Sequence, residues 1–208
     1  MLVPPADLPA LFGSIDIYLF DLLLKGRLQP GARVLDAGCG GGRNLPYFLR
    51  HGFDVSAADA DPRAVAEVRA MAARLAPDLP PENFRVEALE ALTFADASFD
   101  AVLASAVLHF ADDHAHFRAM VAGCWRVLRP GGLFFARLAS SIGLEDRVTA
   151  LGGGRFHLPD GSDRYLVTGA QLDALTAELR AEPLDPLKTV NVAGQRCMTT
   201  WCVRKARA

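Results

Sequence analysis

The sequence predicts an α/β protein built on a doubly wound, Rossmann-like, mostly parallel sheet with helices on both faces. Between residues 31 and 138, short apolar runs alternate with amphipathic stretches. This alternation is typical of parallel strands joined by right-handed helical crossovers. A glycine cluster follows the first apolar run, and two β-type runs joined by the tight turn Ala193-Gly194 close the chain. The closing pair predicts an antiparallel hairpin at one edge of the sheet.

Each predicted strand is a short apolar run bounded by polar residues, glycine or proline. The parallel strands are expected at 33–37, 53–59, 84–89, 99–104 and 133–138, and the hairpin strands at 187–192 and 197–204.

The helices are located by capping residues and by apolar residues at helical spacing. Asp61 stands as an N-cap before Pro62, and Thr168 with Gln171 forms the pattern of a capping box. Another helix begins at residue 112 or 113, and Pro130-Gly131-Gly132 predicts a turn that ends it. The helices capped by Asp61 and Thr168 are expected at 61–75 and 168–180, and one more helix is expected at 44–50.

The 208 residues are expected to form a single domain, residues 1–208. Two segments interrupt the alternation of strands and helices, and both are candidates for covering a site at the carboxyl edge of the sheet. Residues 1–28 are interpreted as an N-terminal cover, and residues 139–165 as a lid or acceptor-site insert hinged at glycines.

Composition narrows the class of protein. The 22 basic residues nearly balance the 24 acidic ones, so no nucleic-acid partner is expected. No apolar run approaches the length of a membrane span, so no membrane association and a cytoplasmic location are expected. The four cysteines are scattered along the chain, which indicates a reducing compartment and no metal site. A monomer and a homodimer are both compatible with the sequence.

The glycine cluster lies in the segment Asp36-Ala37-Gly38-Cys39-Gly40-Gly41-Gly42. Glycines between a strand and a helix let the backbone approach a ligand closely. The spacing differs from the G-x-G-x-x-G of dinucleotide enzymes, because Arg43 stands where the third glycine would be. Asp36 favours a cationic group over a pyrophosphate, and Asp59, at the end of the next strand, is suited to ribose hydroxyls.

Four segments together resemble class I S-adenosylmethionine (SAM)-dependent methyltransferases. VLDAGCGGGRN resembles their motif I, and VSAADADP their second motif. LTFADASFDAVLASAVLHF and RVLRPGGLFFARL are similar to later segments of the same family. The resemblance runs from about residue 31 to 138, half of the chain. It implies a seven-stranded sheet with a reversed last strand, SAM as the cofactor and S-adenosylhomocysteine (SAH) as the product.

The resemblance also implies which residues hold SAM. The amino-acid end would be lined by the glycine loop, the ribose held by Asp59, and the adenine placed against Ala60. The family often has an Asp where Ala88 stands here, so either the Leu89 backbone or Glu90 would meet the adenine amino group, or the adenine would be held mainly by packing. The implied cofactor-binding residues are Asp36, Gly38, Cys39, Gly40, Arg43, Asn44, Asp59, Ala60, Leu89, Glu90 and Ser105. For Asp36, an alternative is that it receives N–H groups of the loop.

Methyl transfer from a sulfonium depends on alignment and exclusion of water, so no catalytic triad is required. The candidate catalytic residues are His109, Arg137 and Tyr165. For His109, the alternative is a histidine with only a structural hydrogen bond. His114 and His116 are expected to face solvent. Arg137, Arg155 and Arg164 either recognise an anionic acceptor or pair with Asp146, Asp160 and Asp163 on the surface.

GCGGGRN is similar to methyltransferases of the tellurite-resistance and thiopurine type, which suggests a small-molecule acceptor. Ala104-Ser105-Ala106-Val107 stands where enzymes that methylate bases carry an Asn/Asp-Pro-Pro-Tyr/Phe motif. Three alternatives stay open: a SAM- or SAH-binding regulatory module without catalysis, a macromolecular acceptor, and an NAD-linked oxidoreductase.

Overall fold

The structure, a computed structural model, describes residues 8–207. The α-helices are α1 (Leu8–Phe12), α2 (Ile17–Leu24), α3 (Pro46–Arg50), α4 (Pro62–Leu75), α5 (His114–Val127) and α6 (Gly169–Glu178). The strands are β1 (Arg33–Ala37), β2 (Asp54–Asp59), β3 (Phe84–Val86), β4 (Phe99–Ser105), β5 (Leu128–Ala139), β6 (Thr149–Gly152), β7 (Arg155–His157), β8 (Asp163–Tyr165), β9 (Ala181–Pro183), β10 (Lys188–Val192) and β11 (Arg196–Lys205). Short 3-10 helices cover Pro81–Asn83, Leu89–Ala91 and Leu108–Phe110.

The central sheet has the strand order β10-β11-β5-β4-β1-β2-β3. The strands from β5 to β3 along this order pair in parallel, whereas β11 is antiparallel to both β5 and β10. This arrangement confirms the predicted mostly parallel, seven-stranded sheet with an antiparallel C-terminal hairpin. A short eighth strand, β9, pairs with β11 and was not predicted.

Successive residues of each strand face opposite sides of the sheet, and each side has its own core. On β1, for example, Leu35 packs with α5 and α6, while Val34 packs with α2, α3 and α4. The expectation of helices on both faces is therefore confirmed.

Two predicted boundaries are wrong, and for the first of them a contact distant in sequence determines the boundary. The third strand ends at Val86, not at residue 89, and the chain turns into the 3-10 helix Leu89–Ala91 that packs on α5. The contact is close at Gly123 of α5, where an added Cβ would lie 1.9 Å from the carbonyl oxygen of Leu89. The last helix ends at Glu178, since Arg180 has a left-handed backbone with φ of 49°.

The predicted turn at Pro130-Gly131-Gly132 is also wrong: these residues form part of β5, which begins directly after α5. The register with β4 shifts between Phe99 and Ala101, so the two glycines lie at an irregularity of the ladder. The helix after the glycine loop begins at Pro46, two residues later than expected, with the proline in its first turn.

The two interrupting segments have defined structures. Within 139–165, β6, β7 and β8 form a separate three-stranded antiparallel sheet. Of the proposed N-terminal cover, residues 1–7 lie outside the described residues; α1 packs against α3, and Phe12 stacks on Tyr47 with ring centroids 5.2 Å apart. In the part of the chain described, no helix combines the length and apolar character that crossing a bilayer requires.

Candidate functional site

A cavity of about 380 Å³, the first cavity, opens at the carboxyl ends of β1, β2 and β4, where open α/β sheets bind ligands. Six of the predicted cofactor-binding residues line this cavity. They are Gly38, Gly40, Asp59, Ala60, Leu89 and Glu90, and they are joined by Ala88, Ala106, Val107, Phe110, His116 and Met120.

The glycine loop is fixed by the neighbouring strand. The N–H groups of Gly38 and Cys39 both donate to the carbonyl of Ala58, at 2.8 and 3.1 Å. Gly38 has φ of 76°, and a Cβ there would lie 2.3 Å from a methyl carbon of Val107. Only glycine meets both demands, and its small size lets the backbone form the floor of the cavity.

Asp59 ends β2 and faces the first cavity. One carboxylate oxygen accepts the Gly40 N–H at 2.8 Å, and the other accepts the Asp61 N–H at 2.9 Å. Each oxygen retains further acceptor capacity, so the carboxylate is able to bind ligand hydroxyls as well. Asp61 caps α4 through the Arg63 N–H, as its position before Pro62 predicts.

Asp36 is buried beneath the loop and is 1% exposed. Neither carboxyl oxygen has a hydrogen-bond partner among the described residues, so the alternative that it receives N–H groups of the loop is wrong. Burial raises the pKa of this carboxyl to about 7, against the opposing effect of the Arg43 charge. A buried carboxyl without a partner fits a cofactor that brings a positive charge and hydrogen-bond donors, as the ammonium of SAM does.

Four other residues implied by the resemblance do not line the first cavity. Cys39 packs into the core with α2 and α3, where burial raises the pKa of its thiol. Asn44 is buried, and its side-chain oxygen accepts the Asp16 N–H at 2.9 Å. Arg43 turns away toward a second cavity and donates to the hydroxyl of Ser105 at 3.0 Å.

The wall near Ala60 combines Glu90 with His116, whose Nε2 lies 3.5 Å from a Glu90 carboxylate oxygen. The sequence suggested that His116 faces solvent, yet this ring lines the first cavity. Its Nδ1 accepts the Asp112 N–H at 3.2 Å, which turns the ring toward the helix start. Helical spacing alone could not reveal this, because the 3-10 helix at Leu89–Ala91 supplies the facing wall.

A second cavity of about 340 Å³ has Ala106 in common with the first. Its wall combines the loop after β4 with β5, the 139–165 segment and the terminal hairpin. The lining residues are Arg43, Ala106, His109, Arg137, Ala139, Leu158, Asp160, Ser162, Arg164, Val192, Arg196 and Met198.

His109 lines the second cavity, as does Arg137. Burial, with a smaller contribution from the Arg164 charge, lowers the pKa of His109 to about 4, so the ring is neutral near pH 7. Its Nδ1 accepts the Ala139 N–H at 3.3 Å, which places the proton of the neutral ring on Nε2. His109 is therefore a hydrogen-bond donor in this arrangement.

Arg137 pairs with Asp16 at 2.6 Å, and not with any of the three surface aspartates considered from the sequence. Asp16 is buried, caps α2, and also lies 3.5 Å from Arg43. The described part of the N-terminal segment thus contacts two arginines of the second cavity through one carboxylate.

The other candidate residues of the 139–165 segment separate into two groups. Arg164 lines the second cavity, with its guanidinium carbon 4.9 Å from the ring centroid of Phe110. Arg155 lies instead 3.7 Å from Asp112 and lines neither cavity. Tyr165 is buried away from both cavities, since its hydroxyl bonds His114 Nδ1 at 2.8 Å and its ring stacks on α5.

The sheet order, with a glycine loop at its switch point and an acid at the end of β2, is that of the class I SAM-dependent methyltransferase fold. Residues 35–136 match a family model described as a methyltransferase domain. The chain is accordingly a member of the class I SAM-dependent methyltransferases, whose cofactor is SAM.

Among curated proteins, a ubiquinone biosynthesis O-methyltransferase of Methylocella silvestris is 41% identical over 106 residues. That match covers 51% of this chain and 39% of the relative, so the chain spans about two fifths of the relative's length.

Two solved structures show the same fold over nearly the whole chain. A SAM-dependent methyltransferase of Methanosarcina mazei has a TM-score of 0.72 at 22% identity, with 89% of this chain and 98% of that chain covered. A 1,6-didemethyltoxoflavin-N1-methyltransferase of Burkholderia thailandensis, with 1,6-didemethyltoxoflavin and SAH bound, has a TM-score of 0.65 at 22% identity and coverage of 99% and 92%.

Proposed function

We propose that this protein transfers a methyl group from SAM in the first cavity to a small-molecule acceptor in the second cavity. The observation that carries the proposal is that Ala106, the residue directly after β4, lines both cavities; we call this residue the junction. Two ligands bound on either side of one small residue have a short path between them. Such placement is what an in-line displacement requires.

We assign Asp59, which lines the first cavity, to the ribose hydroxyls, and Asp36, which is buried two residues before the lining residue Gly38, to the ammonium of SAM. The unpartnered carboxyl of Asp36 and the cavity-facing carboxylate of Asp59 support these assignments. Leu89 and Glu90 are assigned to the adenine, since both line the wall next to Ala60. SAM supplies an activated methyl group, and the residues of this chain hold and orient the reactants.

The junction itself is held in one conformation. Ala106 has a left-handed backbone with φ of 62°, and its N–H donates to the Arg137 carbonyl at 2.7 Å. Val107 follows it and packs against the floor of the first cavity at Gly38. The loop therefore fixes the separation of the two cavities, which favours alignment of the acceptor and exclusion of water.

A volume of about 340 Å³ suits a small organic molecule. The relatives support the same choice of acceptor, because the Methylocella protein is named for ubiquinone biosynthesis and the Burkholderia enzyme for 1,6-didemethyltoxoflavin. The residues that line the second cavity would select the particular acceptor, and nine of these twelve residues lie outside the matched domain.

The test measures SAM binding by calorimetry and SAH release with a panel of small-molecule acceptors. Ala106→Gly tolerates the left-handed backbone and is expected to keep SAH release, whereas Ala106→Leu fills the junction and is expected to abolish it. Ala106→Gly should still bind SAM; because Ala106 also lines the first cavity, SAM binding by Ala106→Leu is measured beside SAH release, and a loss of release with SAM still bound is the result that supports the junction. Tight SAM binding without SAH release from any acceptor would instead indicate a non-catalytic binding module, and binding of NADH without SAM would contradict the assignment altogether.

A further inference from the structure

We infer that the second cavity binds an acceptor that carries a carboxylate, held by Arg164 and Arg196 while the methyl-accepting atom faces Ala106. The inference rests on the proposed function and names the class of its substrate. It is carried by the charge of the cavity wall, by the donors that lack partners there, and by the apolar surface beside them.

The wall of the second cavity is strongly basic. Four guanidinium groups line it, those of Arg43, Arg137, Arg164 and Arg196, against the single lining carboxylate of Asp160. Asp16, which lies behind the wall, compensates part of the charge of Arg43 and Arg137. An excess of positive charge in a partly enclosed site attracts an anion and strengthens its hydrogen bonds.

Arg164 and Arg196 form no salt bridge with a carboxylate of the described residues. Arg196 forms no ion pair with any described residue, and Arg164 contacts the Phe110 ring and donates to the backbone carbonyl of Asp163 at 2.7 Å. Asp160 lies in the same wall, but its Oδ1 accepts the N–H and hydroxyl of Ser162, at 3.0 and 2.6 Å. The Ser162 hydrogen bonds, with smaller contributions from the charges of Arg196 and Arg164, lower the pKa of Asp160, but no salt bridge joins Asp160 to either arginine within residues 8–207. Neither guanidinium is therefore bound to a carboxylate in that part of the chain.

The inner part of the wall also offers donors. The Nε of Arg137 is buried and has no hydrogen-bond partner among the described residues. His109 adds a donor, because its Nδ1 is occupied by the Ala139 N–H. The Arg137 Nε is not exposed to the cavity, so the donor that a ligand oxygen would meet in this part of the wall is the His109 Nε2.

The remaining wall is apolar, which favours an organic anion over an inorganic one. Leu158, Val192 and Met198 line the cavity beside the arginines. Val192 is an exposed large hydrophobic residue of the hairpin, at 42% exposure, and a bound carbon skeleton would cover it. The cavity thus combines an apolar wall with a set of guanidinium donors, the pattern of a site for an organic carboxylate.

The experiment measures binding of fluorinated carboxylates to the SAH-loaded protein by fluorine NMR. The probes are 4-fluorobenzoate, 4-fluorophenylacetate and 5-fluoroindole-2-carboxylate, each paired with its neutral amide. At least one carboxylate is expected to bind tenfold or more tightly than its amide, and its affinity should fall with rising salt.

Arg164→Gln and Arg196→Gln are each expected to weaken that carboxylate about tenfold without changing the binding of its amide. Arg155→Gln is the matched control, because Arg155 belongs to the same segment as Arg164 but lines neither cavity. Its carboxylate affinity should equal that of the natural protein. SAH affinity, measured by calorimetry, should be unchanged in all three variants.

Two results would overturn the inference: no carboxylate that binds more tightly than its amide, or equal effects of the Arg164, Arg196 and Arg155 substitutions. Either result leaves the proposed function standing if neutral acceptors still yield SAH. Failure of the protein to bind SAM, in contrast, would remove the proposed function whatever the carboxylates do.

Discussion

Replacing Asp36 with asparagine is expected to stabilise the ligand-free protein at neutral pH and to weaken cofactor binding. Burial raises the pKa of this carboxyl from 3.8 to about 7, and no described residue hydrogen-bonds to it. Between these two pH values the carboxyl is ionised in the unfolded chain but protonated in the folded one. The free energy of unfolding therefore falls as the pH rises from 3.8 to about 7.

The size of the effect follows from the pKa difference. Each pH unit between the two pKa values lowers the free energy of unfolding by about 1.4 kcal/mol, so the loss amounts to about 4 kcal/mol above pH 7. Asparagine does not titrate and is close in size and polarity to the protonated carboxyl. From pH 5 to pH 8, the stability of Asp36→Asn relative to the natural protein should rise by about 3 kcal/mol.

The assay is urea unfolding of both proteins without cofactor at pH 5, 6, 7 and 8. Asp61→Asn serves as a control, because Asp61 is an exposed helix cap and asparagine caps a helix as well. A stability difference between Asp36→Asn and the natural protein that does not change with pH would refute the reasoning. So would a difference that favours the natural protein above pH 7.

Cofactor binding should change in the opposite sense. The ammonium of SAH favours an ionised Asp36, so the affinity of the natural protein should fall about tenfold per pH unit below pH 7. Asp36→Asn should bind SAH more weakly at pH 7.5, with little dependence on pH. Calorimetric titrations with SAH at pH 6 and pH 7.5 measure both effects, and a natural protein whose affinity is flat over this range contradicts the assignment.

Three further predictions concern the two cavities. Asp59→Ala should weaken SAH binding by about 1–3 kcal/mol in calorimetry, because ligand hydroxyls lose their acceptor; an equal loss in Asp61→Ala would point to the loop and not to the ribose. Gly123→Ala should lower the free energy of unfolding by about 1–3 kcal/mol in urea, since its methyl group would collide with the 3-10 helix that lines the first cavity. Serine at the adjacent Ala122 should cost much less, and comparable losses would show that the close contact is unimportant. Acid should destabilise the natural protein relative to His109→Gln by about 3 kcal/mol between pH 6.5 and pH 4, because the histidine is held neutral in the fold and protonates in the unfolded chain. Parallel pH profiles of the two proteins would contradict this account.

The sheet could be predicted from sequence because its signals are local. Apolar alternation marks the strands, and the Ala193-Gly194 turn, with both residues at positive φ, marks the hairpin. The errors arose where a distant contact decides the local conformation. The end of β3 depends on Gly123 in α5, and nothing near residue 86 signals that contact.

The residues of the candidate site also separate into those that local sequence could predict and those that depend on distant contacts. Gly38 and Asp59 could be found because the strand-to-loop geometry itself directs them to the first cavity. Arg43 stands in the same loop, but its long side chain follows Ser105 and Asp16 into the second cavity. Asp16 has the local signal of a helix N-cap, but nothing local indicates its contact with the second cavity, since Arg137 is 121 residues away in the chain.

The two cavities are built from different parts of the chain, and this separation affects how the sequence can change during evolution. Every residue that lines the first cavity falls within the matched domain, residues 35–136. Nine of the twelve residues that line the second cavity lie after it, from Arg137 to Met198. Under the proposed assignment of the two cavities, mutation of the C-terminal third would change the acceptor site while the residues of the cofactor site stay intact. A graft of residues 137–198 between relatives becomes a direct way to exchange substrate preference.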